Sequence, residues 1–381
     1  MIARIRQHLI NAALVIGSVL LTYTLLEVAV FKLFLPLMPL KVRPALPDRT
    51  GVLAQHSKRN YLPHDYIALL GDSYAEGRGD WLLQNGGNQN SPFHSADVIR
   101  EATGRDVVSF ARGGAGSAEG IVLRPARILT RSQCILFPEM ELPRQVFIYF
   151  YEGNDVEDNL HFAFKVVNAY GRRDGEAIDR YLTEYYAAEN PWRCHLELLD
   201  TATRMTQFLY QHYVSGLDIE YCGQERPGAN RLFVGGRSFE APALQGPALG
   251  AADEDIRRGI EVLDHSLSWL QHRFKDVSVT VVYVPSPLSV YRIEGETEAY
   301  CSKAVTASVA QSQRNSDFMT DLVQKSAVDH GMDFMDARPT LRAAAATNLI
   351  HGPKDWDHLN EIGYRALGRL VASGVKALPS D

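Results

Sequence analysis

Short, almost wholly apolar runs alternate along the chain with stretches of helical periodicity. The runs Tyr66–Leu70, Asp106–Phe110, Gln145–Tyr151, Val277–Val284 and Met332–Met335 predict strands buried on both faces, because polar positions do not alternate through them. Apolar positions three and four residues apart predict helices over His94–Thr103, Asp253–Phe274, Lys303–Asp329 and Glu361–Ser373. This order predicts an α/β fold with a parallel sheet covered on both faces. The rhythm breaks between Asn159 and Ala252, a stretch rich in aromatic residues (Phe162, Phe164, Tyr170, Tyr181, Tyr185, Tyr186, Trp192). A structureless loop of that length is improbable in a compact domain, so a largely helical insertion followed by an irregular segment is expected. Two uses stay open for it: a lid or substrate platform, or plain packing around the core.

The pattern at the N-terminus is different. From Leu9 to Phe31 the chain is continuously apolar except for Glu27 near the far end. A helix of about 23 residues covers roughly 34 Å, enough to cross a bilayer. No small-x-small cleavage site follows, so a retained anchor is expected rather than a removed signal peptide. Basic residues fall on both sides, Arg4 and Arg6 before the span and Lys32, Lys41 and Arg43 after it, and the positive-inside rule is divided. The short basic tail and the large following domain favour an arrangement with the N-terminus inside and the domain outside. Proline-rich text from Leu35 to Asp48 reads as an extended linker. The expected organisation is an anchor (1–35), a linker (36–60) and a single domain (61–381) carrying the insertion at 159–252.

Composition narrows the function classes. With 39 Lys+Arg against 45 Asp+Glu, a net charge of −6 offers no electrostatic footprint for nucleic acid. At 46% hydrophobic residues the 381-residue chain has ample material for a core and needs no disulfide scaffold. The four cysteines (Cys134, Cys194, Cys222, Cys301) form no CxxC pair, which argues against a structural zinc site. Cys194 and Cys222 flank part of the insertion, and an exported domain could oxidise them; four buried thiols is an equal alternative.

Candidate chemistry sits where predicted strands end. The first strand stops abruptly in Gly71-Asp72-Ser73, and glycine permits a sharp turn that a residue with a Cβ resists. A serine there lies at the carboxyl edge of the sheet, where parallel α/β proteins place ligands. Serine needs a base and a group that orients the base. Both are offered by Asp355-Trp356-Asp357-His358, in which the Asp355 carboxylate can meet one ring nitrogen of His358 and leave the other for Ser73. Asp357, adjacent to the histidine, would tend to point elsewhere. Two intermediate segments can donate to an oxyanion: Gly113-Gly114-Ala-Gly116 after the second strand, and Glu152-Gly153-Asn154-Asp155 after the third.

Taken in order, Gly71-Asp72-Ser73, Gly114, Asn154 and Asp355-x-x-His358 resemble the four blocks of the SGNH, or GDSL-like, hydrolase superfamily. The resemblance runs from Tyr66 to Gly374 apart from the insertion, and the apolar anchor bearing a late Glu resembles the N-terminus of membrane-tethered bacterial members. It implies a flavodoxin-like three-layer α/β/α sandwich with a five-stranded parallel sheet. By the same resemblance Ser73 is the nucleophile, His358 the base and Asp355 its orienter. The backbone N–H groups of Ser73 and Gly114, with the Asn154 amide, then form the oxyanion hole. Two positions depart from the pattern. Glu152 replaces the first glycine of Gly-x-Asn-Asp and is expected to put a carboxylate near the site. Ser109 stands where asparagine is common, which leaves Gly113 and Gly116 as alternatives to Gly114. The segment Val281–Tyr291 resembles loosely the fourth strand of periplasmic members that act in exopolysaccharide acetylation.

The expected activity is that of a serine esterase or deacylase, acting through an acyl-enzyme on ester-linked acyl groups, acetyl favoured, of a cell-envelope carbohydrate. The expected partners are such an ester and the inner-membrane bilayer, reached through residues 9–31, with the domain periplasmic and without cofactor or metal. If a sugar hydroxyl outcompetes water, the same constellation is an O-acyltransferase. Two readings compete from other classes. His351, Asp355, Asp357, His358 and Asp72 could hold a divalent cation, although their spacing matches no established ligand set. A non-catalytic polysaccharide-binding or assembly subunit would use the aromatic insertion and would have no need of Ser73, His358 and Asp355.

Overall fold

The computed structural model describes residues 2–30, 46, 48–55, 57–60, 62–79, 94–131, 140–172, 174–188, 197–213, 228–248, 251–300 and 306–377. All four cysteines, Trp192 and most of the proline-rich linker lie outside these residues, and both readings of Cys194 and Cys222, disulfide or free thiols, lie there with them.

Five strands form one parallel sheet: β1 (Ile67–Gly71), β2 (Val107–Ser109), β3 (Gln145–Tyr151), β6 (Ser278–Val284) and β10 (Asp333–Asp336), in the spatial order β2-β1-β3-β6-β10. The register runs Ile67 opposite Val107 and Gln145, Gln145 opposite Ser278, and Thr280 opposite Asp333. All seven residues of β3 are buried, as a central strand with helices on both faces requires. Its side chains alternate between two cores. Val146, Ile148 and Phe150 join Leu70, Val281 and the helices Asp155–Tyr170, Asp253–Arg273 and Val309–Asp329. Phe147, Tyr149 and Tyr151 join Leu69, Val282 and the helices Ser95–Thr103, Arg338–Ala345 and Glu361–Ser373. The result is a flavodoxin-like three-layer α/β/α sandwich. Burying each large apolar side chain of β3 contributes roughly 1.5–3 kcal/mol toward holding the layers together.

The insertion is more regular than expected. The helix after β3 begins at Asp155 and continues to Tyr170, followed by helices Gly175–Ala188 and Glu197–Tyr213. The supposedly irregular part then contains an antiparallel hairpin, β4 (Asn230–Val234) with β5 (Arg237–Ala241), extended by β7 (Arg292–Ile293). A Gly235-Gly236 turn, both residues at positive φ, joins the hairpin and suits its twist. Most of the insertion's described aromatics pack: Phe162 is buried, Tyr181 meets it edge-on, and Tyr186 meets Trp269. Phe164, by contrast, is exposed. The helix expected from Lys303 begins instead at Val309, where the Ser308 hydroxyl accepts from the Gln311 N–H as its N-cap. Residues Thr306–Ser308 form strand β9 paired with β8 (Thr297–Ala299).

The helix Ile2–Ala29 stands apart from the sandwich. Between Arg4 and Leu26 it is long and apolar enough to cross a membrane. Leu14, Val19 and Leu25 are exposed, which a soluble core helix would not tolerate.

Candidate active site

In the order β2-β1-β3-β6-β10, chain connections diverge to opposite sides at β1 and β3, and a crevice opens beyond their carboxyl ends. The two segments leaving those ends carry Ser73 and Asn154. Gly71 closes β1 at φ +131, and a Cβ there would come within 2.5 Å of the Tyr149 carbonyl oxygen, so only glycine fits this turn. Asp72 then caps the single-turn helix Ser73–Glu76, its Oδ1 accepting from the Tyr74 N–H at 3.0 Å.

The third group arrives from the far end of the chain. Asn360 caps the helix Glu361–Ser373 by accepting from the N–H groups of Ile362 and Gly363, and its own amide donates to the Leu349 carbonyl. That clamp holds the loop carrying Asp355 and His358. Tyr74 binds the loop from the other side: its hydroxyl donates to the Asp357 carbonyl at 2.6 Å, and its ring lies 5.5 Å from the His358 ring. The residue next to Ser73 is therefore in contact with His358.

Asp355 and His358 form a pair. The His358 Nδ1 and Asp355 Oδ2 are 2.9 Å apart, and Asp355 Oδ1 accepts the N–H groups of Asp357 and His358. Burial alone would weaken both charged forms. The charge of each partner and the hydrogen bond between them overcome it, so Asp355 is held below its ordinary pKa and His358 above its own. Asp357 adds to the raised His358 through its charge.

Ser73 is almost buried, and its hydroxyl donates to Asp72 Oδ2 at 3.1 Å. The expected hydrogen bond from Ser73 to His358 is absent among the described residues. Asp72 stands between the two in electrostatic terms. Burial raises its pKa, against the Tyr74 N–H and the neighbouring His358, which lower it. Neither Tyr74 nor this role of Asp72 was evident beforehand; their only signal was adjacency to Ser73.

The donor segments behave differently from one another. Gly113 donates its N–H to Glu76 Oε2 at 2.6 Å and is committed there. A Cβ on Gly116 would meet Asn159 and Asp158 at 2.8 Å, so that glycine serves close packing. Gly114 is exposed at φ +71 with open space where a Cβ would stand. Asn154 precedes the helix Asp155–Tyr170; its amide donates to Asp158 Oδ2 at 3.2 Å, while its Oδ1 is buried without a partner. Burial, reinforced by Asp72, lifts Asp158 to about 6.

Glu152, expected to put a carboxylate near the site, is instead committed to partners in the core. Its carboxylate is fully buried and receives four donors: the Ser286 N–H and hydroxyl on Oε1, and the Tyr283 and Ser316 hydroxyls on Oε2. It ties the end of β6 and the helix Val309–Asp329 to the turn after β3. His351 is likewise a core residue, with Nδ1 3.2 Å from the Tyr291 hydroxyl. Burial drives its pKa down to about 3.

No protein-family model and no curated protein matches the chain. Solved structures of similar fold include an extracellular lipase from Streptomyces rimosus (16% identity, TM-score 0.40, covering 81% of this chain and 99% of that one). A phospholipase A1 from Streptomyces albidoflavus NA297 is similar at 16% identity and TM-score 0.40, over 82% of this chain and 98% of that one. A carbohydrate acetylesterase family member from Sinorhizobium meliloti is similar at 13% identity and TM-score 0.34, over 81% and 96%.

Proposed function

We propose that the chain is a serine ester hydrolase in which Ser73, His358 and Asp355 act together. The observation that carries this reading is the 2.9 Å Asp355–His358 pair, buried and held against the turn that presents Ser73. A carboxylate on Nδ1 keeps the proton on that nitrogen and leaves Nε2 with a lone pair. Rotation of the Ser73 hydroxyl away from Asp72 toward Nε2 would let it lose its proton as its oxygen attacks an ester carbonyl. The tetrahedral oxyanion would take the backbone N–H groups of Ser73 and Gly114 and the Asn154 amide. Collapse expels the alcohol, protonated by His358, and water repeats the sequence on the acyl-serine to release the acid.

The substrate proposed is an ester-linked acyl group, acetyl first, on a cell-envelope carbohydrate, with the domain held at the outer face of the inner membrane by residues 9–31. The membrane-length helix supports the location, and the substrate class follows from the family resemblance of the Ser73, Asn154 and His358 blocks. The test is hydrolysis of p-nitrophenyl acetate with labelling by a fluorophosphonate, followed by mass measurement of the modified peptide. The expected result is one adduct on Ser73 and loss of both turnover and labelling in Ser73→Ala and His358→Ala variants that remain folded. Turnover that survives Ser73→Ala would remove the mechanism.

A further inference from the structure

The peptide N–H groups of the turn 112–115 are spent unevenly. Arg112 donates to the Gly71 carbonyl at 3.4 Å, Gly113 to Glu76 Oε2 at 2.6 Å, and Ala115 to the Arg112 carbonyl at 3.2 Å. Only the Gly114 N–H has no partner among the described residues, and Gly114 is exposed.

Two adjacent glycines do not hold such a turn by themselves. Neither has a side chain to restrict its backbone, and Gly114 sits at φ +71 with nothing packed where a Cβ would stand. The direction of the Gly114 N–H is therefore set by the bonds on either side of it. Two of these reach the segment that carries Ser73: Gly71 lies two residues before the serine, and Glu76 ends its helix, Ser73–Glu76. The bond to the Glu76 carboxylate is the shorter, and a charged acceptor makes it the stronger. Arg78 completes the arrangement. Its Nε donates to the same Glu76 oxygen at 2.9 Å, and a Cβ on Gly113 would come within 2.6 Å of its guanidinium carbon. The cation balances the carboxylate, so Glu76 holds the turn without leaving net negative charge beside a forming oxyanion.

We propose that Glu76 is a positioning residue: by holding the Gly113 N–H it fixes the neighbouring Gly114 N–H relative to Ser73, and so shapes the oxyanion hole. The proposal rests on the ester-hydrolase reading above, and Glu76 itself makes and breaks no bond in the reaction.

The test is steady-state hydrolysis of p-nitrophenyl acetate by the full chain in detergent micelles, comparing Glu76→Ala, Glu76→Asp and Glu76→Gln with Ser73→Ala. Acylation and deacylation both pass through an oxyanion, so a displaced donor lowers kcat and leaves KM in place. Removing one donor outright costs about 10²–10³ in kcat. Glu76→Ala, which loosens a donor, should cost at least about tenfold, with KM within about threefold of the parent. Both bonds fall on Oε2, so Glu76→Gln, with its amide oxygen there, should recover most of that loss. Glu76→Asp keeps the charge but stops one methylene short of Gly113, and should resemble Glu76→Ala. The contrast between Glu76→Asp and Glu76→Gln remains decisive if Glu76→Ala fails to fold. Phenyl trifluoromethyl ketone takes the Ser73 oxygen at its carbonyl carbon, passes the Ser73 proton to His358 and leaves an oxyanion. Its affinity should weaken in Glu76→Ala by the same factor as kcat. With turnover lost in Ser73→Ala, a Glu76→Ala kcat within about threefold of the parent, a loss confined to KM, or Glu76→Asp as active as Glu76→Gln overturns the positioning role alone. Turnover that survives Ser73→Ala removes the ester-hydrolase reading and this role with it.

Discussion

Replacing Asp355 by asparagine removes a single charge from a group that is 1% exposed and accepts from the N–H groups of Asp357 and His358 and pairs with the His358 ring. Oδ1 must remain an oxygen, because it accepts the N–H groups of Asp357 and His358. The new amide nitrogen therefore takes the place of Oδ2, 2.9 Å from His358 Nδ1, and donates to it. That forces the ring proton onto Nε2, the nitrogen that must accept from Ser73. Charge is lost as well. A contact of this kind puts the two charge centres roughly 4 Å apart, where imidazolium and carboxylate attract by about 4 kcal/mol at an effective dielectric constant of about 20. At 1.36 kcal/mol per decade this attraction alone accounts for about 10³ in rate, and the wrong tautomer brings the expected fall in kcat/KM to about 10⁴. The assay is p-nitrophenyl acetate hydrolysis across pH, with near-ultraviolet circular dichroism to establish that the variant is folded. In the parent the base works as the neutral ring, so kcat/KM rises with pH through the His358 pKa, which Asp355 holds above the ordinary histidine value. Without that charge the rising limb moves to lower pH while the plateau drops. Asp357→Asn should cost far less, because its carbonyl rather than its carboxylate holds Tyr74. If Asp355→Asn stays within about tenfold of the parent, or Asp357→Asn falls further, Asp355 is not the orienting carboxylate.

Glu152→Ala strips four donors of a buried acceptor and should lower unfolding free energy by roughly 2–4 kcal/mol. Acyl-chain preference should stay as in the parent; an altered preference at unchanged stability would return Glu152 to the crevice. His351, depressed to about 3, acts in the opposite sense to His358. The unfolded chain takes up this proton near 6.5 and the folded chain does not, so the stability is present above that pH and is lost as pH falls toward 3. Between pH 7 and 4.5 its share amounts to about 2–3 kcal/mol, measured by urea unfolding. His351→Gln should remove that part of the acid dependence, and an unchanged dependence would show that another group causes it. A chain lacking residues 1–40 should be soluble and hydrolyse the test ester without detergent. Activity that needs micelles would mean that the apolar helix does more than tether.

What could be read from the sequence follows from which forces act locally. The limits of β3 were legible to the residue because every position from Gln145 to Tyr151 is buried, and an unbroken apolar run states that condition directly. The turn at Gly71 was legible for a similar reason, since its positive φ and the 2.5 Å approach to Tyr149 exclude any other residue. The hairpin β4–β5 carried its own signal in Gly235-Gly236, flanked by alternating Leu232, Val234 and Phe239; surrounding glycine and proline made the segment look irregular. Glu152 was different in kind. Its sequence neighbour Asn154 is an oxyanion candidate, but the donors that satisfy it come from residues 283, 286 and 316. No spacing rule relates those positions before β6 is laid beside β3. The same holds for Ser73, whose hydroxyl has a carboxylate beside it in sequence and an imidazole brought near by folding. Local adjacency won in the resting arrangement, and Asp72 holds the proton donor that His358 would need. The proposed mechanism therefore requires a rotation of the serine side chain away from Asp72. An Asp72→Asn variant, which keeps the N-cap oxygen but weakens the grip on Ser73, should retain measurable hydrolysis, whereas loss as complete as in Ser73→Ala would make Asp72 itself part of the chemistry.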